Sequence, residues 1–139
     1  MQEATRTVLE VTTLSDDRFE YFDDKAFSWT GILTFYKEPF KNKKGKHFEI
    51  NILIDRKLES LDIRLLNALG KDWSWGEDRR IKAFKLSSFS NEENLIHFTF
   101  ETIRKSNNHD EIKYFLFDLG SYLNLSNYQI QTLNIKDIS

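Results

Sequence analysis

Cysteine is absent from this chain of 139 residues. That excludes disulfide bridges, thiol catalysis and cysteine-ligated metals. A single proline, Pro39, and five glycines mark no linker that would divide the chain, and no low-complexity segment is present. An excess of one charge is missing too. The 20 basic and 22 acidic side chains leave a formal net charge of −2. So even a balance gives no global pull toward nucleic acid or an anionic membrane. No run approaches the roughly 18 apolar residues of a membrane-spanning helix. The first residues, Met1 to Arg6, carry no apolar signal-peptide core. The expectation is one domain over residues 1–139, soluble and cytoplasmic.

Catalytic motifs are equally scarce. None of the patterns G-x-x-x-x-G-K-[ST], G-x-G-x-x-G or G-x-S-x-G occurs. Ser87, Ser88 and Ser90 lack a sequence-evident histidine and acid. The three histidines, His47, His97 and His109, form no H-E-x-x-H. His97 and Glu101 share a strand face but stand roughly 13 Å apart at strand rise, too far for a direct pair. The simpler reading of His97 is a polar residue on a wet sheet face. Asp16-Asp17 and Asp23-Asp24 could bind calcium, but the loop between them lacks the glycine and alternating oxygens of an EF-hand. Asp110 and Glu111 fit better as first-turn acids complementing a helix dipole than as a catalytic pair. The chain is therefore expected to have no catalytic residue, no metal and no cofactor.

What the chain does have is aromatic mass, with twelve Phe, and alternation. Phe27, Trp29, Gly31, Leu33 and Phe35 alternate with Ser28, Thr30, Thr34 and Tyr36. Phe48, Ile50, Ile52 and Ile54 alternate with His47, Glu49, Asn51 and Asp55. A period of two means strands with one buried and one wet face. The two runs, about 27–37 and 47–55, read as an antiparallel hairpin across Pro39 and Lys44-Gly45. Thr7 to Leu14 reads as an earlier strand. Ile81 to Phe89 and Leu95 to Ile103 predict a second hairpin. Leu58, Leu61, Leu65, Ala68 and Leu69 recur at helical spacing, with Gly70 as a stop. Asn108 reads as an N-cap with Glu111 at the reciprocal position. It opens a helix with a stripe of Ile112, Phe115, Leu116, Leu119 and Leu123. A strand over about 128–135 closes the chain. The predicted class is α+β, a mostly antiparallel sheet with two helices in the order β-β-β-α-β-β-α-β. The expected core is Trp29, Leu33, Phe35, Phe48, Ile50, Ile52, Phe98 and Phe100.

Two segments stand out as candidate contact surfaces. Ser15 to Lys25 sets five acids against two bases. Its candidate residues are Asp16, Asp17, Glu20, Asp23 and Asp24, interleaved with Phe19, Tyr21 and Phe22. Trp73-Ser74-Trp75 follows the first helix. These tryptophans either fold back to cap the core or stand out as binding anchors. Against them stands the basic stretch Lys37 to Lys46, with five lysines and one glutamate. It could grip phosphate, as in a nucleic-acid module or small nuclease. However, a lysine-rich tip is more often a solvated loop that discourages edge pairing.

Over about Thr7 to Leu58 the chain resembles the immunity protein 8 family of bacterial polymorphic-toxin and contact-dependent inhibition systems. The residues that carry the resemblance are Ser15-Asp16-Asp17, Phe27-Ser28-Trp29, Lys44-Gly45-Lys46 and His47-Phe48-Glu49-Ile50-Asn51-Ile52. Asn127-Tyr128-Gln129-Ile130 stands where that family ends in Trp-Glu-Phe-Glu. The resemblance implies a non-catalytic protein that binds a cognate toxin and blocks its active site or substrate surface. An acidic segment with aromatics would complement a basic toxin such as a nuclease, with charge raising the association rate and aromatics holding the complex.

Overall fold

The computed structural model describes residues 6–12, 20–22, 26–28, 43–76, 78, 80–106 and 108–138. The strands are β1 (Arg6–Thr12), β2 (Glu20–Phe22), β3 (Ala26–Ser28), β4 (His47–Ile54), β5 (Phe84–Glu92), β6 (Leu95–Thr102) and β7 (Ile130–Asp137). Helix α1 (Ser60–Asp72) lies between β4 and β5, and helix α2 (Asn108–Leu125) between β6 and β7. Five strands form an antiparallel sheet in the order β1-β7-β4-β6-β5, and β2 pairs with β3 apart from it. The architecture is α+β, as the periodicities predict.

From β4 onward the chain runs β-α-β-β-α-β. Each helix joins two parallel strands that flank a third, so the two crossovers interleave in the split arrangement of ferredoxin-like folds. Buried residues of both helices join those of one sheet face in a single core, which puts both helices on the same side. Along β4 the inward residues Phe48, Ile50, Ile52 and Ile54 are buried while their neighbours are half-buried. Phe98 and Phe100 of β6 are buried beside them. The rings of Phe84, Phe98 and Phe100 meet Phe115 of α2 at centroid separations of 5.8, 5.7 and 5.2 Å. Ile112, Phe115, Leu116, Leu119 and Leu123 are all fully buried, as their helical spacing requires.

Several local expectations change. Strands β6 and β7 occupy both edges of β4 along its length, so Phe27 and Ser28, the described residues of the run over 27–37, are not its hairpin partner. Phe27 and Ser28 instead pair with Tyr21 and Glu20. Alternation identifies a strand but not its neighbour. Trp29, Leu33 and Phe35 lie outside the described residues. The second hairpin is tighter than expected: Glu92 pairs with Leu95, so only Glu93 and Asn94 turn the chain. Glu93 takes a left-handed φ of 56° there. Ile81 falls outside β5 and bridges Trp75.

Gly70 does not stop α1. It sits inside the helix, buried, where a Cβ would stand 2.8 Å from Phe98 Cε1. Leu61 and Leu65 point to solvent, and Leu66 faces the core. Two overlapping apolar stripes share α1, and spacing alone does not say which is inward. Glu111 does not close a reciprocal cap either. The Asn108 N–H donates to the Ser106 carbonyl at 2.8 Å, and the Glu111 carboxylate is buried among other donors.

Candidate functional site

Helix α1 ends at Trp73, whose ψ of 135° turns the chain across the end of the sheet. The indole stacks on Phe84 at 5.3 Å and 7° and meets Phe115 edge-on at 5.5 Å. Its Nε1–H donates to Asp118 Oδ2 at 2.9 Å. Trp73 is buried, so it folds back to close the core rather than standing out as an anchor. Two residues on, Trp75 exchanges backbone hydrogen bonds with Ile81 at 2.8 and 3.0 Å. Gly76 follows with a φ of 87°, and a Cβ there would lie 2.9 Å from Ile81 Cδ1. Only glycine suits both conditions. Trp75 is half-buried. Its Nε1–H donates to Glu111 Oε2 at 3.0 Å, and its ring lies 5.2 Å from that of Tyr114.

Both tryptophans therefore fasten the loop after α1 to carboxylates of α2. Glu111 is held in turn by the Ser106 hydroxyl at 2.6 Å and by Arg104, which forms an ion pair at 3.4 Å. A buried carboxylate needs such partners.

The loop leaves an open groove between the two helices. One depression of about 450 Å³ is lined by Ala68, Leu69, Asp72, Trp73, Ser74 and Asp118. An adjoining one of about 390 Å³ is lined by Trp73, Trp75, Gly76, Tyr114, Phe117 and Asp118. They share Trp73 and Asp118. On the outer surface of the helices Tyr114 is 42% exposed, Phe117 45%, Leu61 61% and Leu65 44%. Tyr114 and Phe117 line the second depression together, and paired aromatic exposure beside a groove marks a candidate contact surface.

The other sheet face is polar. His97 Nδ1 lies 2.5 Å from Asn51 Oδ1, and Nε2 lies 3.0 Å from Thr99 Oγ1. Asn51 Nδ2 donates to Glu49 Oε1 at 3.0 Å and to Asn134 Oδ1 at 2.8 Å. The acid facing His97 is Glu49 on the neighbouring strand, 4.0 Å away. Glu101 turns to Lys85 at 3.7 Å instead. The cluster is a ladder of mutually satisfied side chains across β6, β4 and β7. Among the described residues no three of His, Asp and Glu converge to hold a metal ion.

Of the candidates in the acidic segment, Asp16, Asp17, Phe19, Asp23 and Asp24 lie outside the described residues. Glu20 and Tyr21 form β2, opposite Ser28 and Phe27. Strand β3 lies against α2, which places this small hairpin on the helical side of the sheet, the side of the groove. The described part of the basic tip is fastened down. Gly45 N–H donates to the Thr102 carbonyl at 2.7 Å, and Lys46 pairs with Asp137 at 3.5 Å. Lys43 and Lys44 are exposed.

Tyr114 and Phe117 were not singled out by their sequence pattern. Three residues apart on α2, they sit just beside the buried stripe, where more apolar residues look like more core. No helix of the described residues is long and apolar enough to cross a membrane. Compared with known proteins, the chain matches no family model, no curated protein and no solved structure.

Proposed function

We propose that this chain is a non-catalytic binding protein, an immunity protein that neutralises a cognate bacterial toxin in the cytoplasm by covering its active site or substrate surface. The observation that carries the reading is the open aromatic groove between α1 and α2, with Tyr114 and Phe117 nearly half exposed at its wall. Aromatic side chains beside a pre-formed depression are the material of binding hot spots. The acidic candidates Asp16, Asp17, Glu20, Asp23 and Asp24 complement a basic toxin such as a nuclease. The resemblance over residues 7–58 points the same way.

Co-expression with the product of an adjacent toxin gene tests the proposal. A stable complex that suppresses the toxin's activity is the expected result. Failure to co-purify and to protect would remove the reading. Reversing Asp16, Asp17, Asp23 and Asp24 to Lys should slow association, most of all at low salt, because surface charges are screened over about 8 Å at physiological ionic strength. Unchanged rates would place the contact elsewhere.

A further inference from the structure

Strand β5 is an edge of the five-stranded sheet. It pairs with β6 on one side, and among the described residues nothing pairs with its other side. An unpaired edge presents a row of backbone N–H and C=O groups to any strand of matching shape. Edges are ordinarily blunted by proline or by charge in mid-strand. Leu86 to Asn91 holds neither, and a bulge at Ser87 is what interrupts the run. Along this edge Leu86 and Phe89 are half-buried, packed on the core from one side.

The order of residues selects the occupant. The register on β6 divides β5 into two faces. Leu86, Phe89 and Asn91 lie opposite the buried Phe100, Phe98 and Ile96, while Lys85, Ser88, Ser90 and Glu92 lie on the outer face. Ser87 is the extra residue of the bulge. A second β5 can be set antiparallel to the first, with a twofold axis at Phe89 and Ser87 again left over. Lys85 then faces Glu92 of the second copy, Leu86 faces Asn91, Ser88 faces Ser90, and Phe89 faces its own equivalent. Every pair joins residues of the same face, as a sheet requires. The two charges of the strand, opposite in sign, meet their complements twice. Lys85 also pairs with Glu101 of β6 at 3.7 Å, so each lysine would stand between two acids in a row across three strands. A strand of another protein would find the same backbone groups, but symmetry supplies these matches from a second copy.

We propose that β5 is a homodimer interface, at which two copies join edge to edge and antiparallel about Phe89, with Lys85 of each copy against Glu92 of the other. This goes beyond the immunity reading and does not depend on it.

Sedimentation equilibrium of the full chain, without toxin, tests the proposal. The expected result is a monomer–dimer equilibrium. Lys85→Glu and Glu92→Lys should each raise the dissociation constant by about tenfold, since each turns two attracting pairs into repelling ones. An equimolar mixture of the two variants should restore the dimer, because a strand with two lysines then meets a strand with two glutamates. Both side chains are exposed, so the fold should survive, which unchanged circular dichroism would verify. A second measurement needs no substitution: exchange of the β5 amides should slow as the unaltered chain is concentrated. A chain still monomeric at about 0.5 mM would overturn the proposal. So would a dimer indifferent to both reversals, a mixture no stronger than either variant alone, or β5 amides whose exchange ignores concentration. A monomer that still protects against a toxin would sink the dimer and leave the immunity reading standing.

Discussion

Helices α1 and α2 cover the same face of the same sheet, yet they hold to it by different means. Helix α2 buries five large apolar side chains completely, from Ile112 to Leu123. Helix α1 buries only Leu66 and Gly70, and exposes Leu61 and Leu65. Its hold is made of shape and polar ties. Gly70 lets the helix come down onto the Phe98 ring. At its other end, Asp62 accepts hydrogen bonds from the Tyr122 and Tyr128 hydroxyls, both at 2.5 Å. One helix is held by hydrophobic area and the other by fit. The weakly anchored helix keeps an outward apolar surface that the core does not use, and the candidate groove opens beside it.

The sharpest break of this contrast is in α2. Phe115→Ala should cost about 3–5 kcal/mol, as large aromatic truncations in cores do, because Phe115 meets Phe84, Phe98, Phe100 and Trp73 at once. Urea unfolding measures it, and a loss below about 1 kcal/mol would contradict α2 as the main anchor. In α1 the corresponding break adds atoms rather than removing them. Gly70→Val should cost about 3 kcal/mol, near the upper end for overpacking, although valine is the better helix former. If the substitution stabilises the protein, α1 does not rest on Phe98 as described.

The same contrast decides what could be read from the sequence. The α2 stripe was legible because its inward positions are all large and apolar at one spacing. The inward residues of β4 and β6 were legible because each strand has one wet face. The α1 phase was not, since Leu61, Leu65 and Ala68 repeat as well as Leu66, Leu69 and Trp73 do. Nor was the role of Gly70, because close approach to Phe98 depends on a contact across 28 positions. The groove was half legible. The Trp73-Ser74-Trp75 string pointed to it, while its other wall, Tyr114 and Phe117, comes from α2, and only the fold joins them. The pairing of His97 with Glu49 likewise needs the register of β4 on β6.

The polar tie gives a smaller effect with a pH signature. Tyr122→Phe should cost about 1.5 kcal/mol, the low end for a hydrogen bond to a charged group. Burial, then the hydrogen bond to Asp62, pushes the Tyr122 hydroxyl up to about 12. A tyrosine raised in the folded state contributes stability that is whole below about 10 and is lost as pH climbs through about 12. The hydrogen bonds from Tyr122 and Tyr128 lower Asp62 below its ordinary value of 3.8. Its contribution is whole above that value and is lost as pH falls below it. Tyr122→Phe should flatten the alkaline loss of stability. An alkaline limb unchanged by the substitution would show that the tie does not titrate with folding.

The smallest expected effect sits on the outer stripe of α1. Replacing both Leu61 and Leu65 with Gln should move stability by no more than about 1 kcal/mol in all, because both side chains are exposed and glutamine and leucine differ little in helix propensity. One turn position away, Leu66→Gln should cost several times more, since it would bury an amide with no partner prepared for it. The ratio of the two losses, measured by the same unfolding curves, fixes the phase of α1 independently of any coordinate. A larger loss from the double variant than from Leu66→Gln would mean that the leucine stripe and the core-facing stripe have been exchanged. If the phase holds, the double glutamine variant becomes the cleanest probe of function. Its fold is intact and its outer surface is polar, so if the proposed toxin complex forms, any loss of binding belongs to the surface itself.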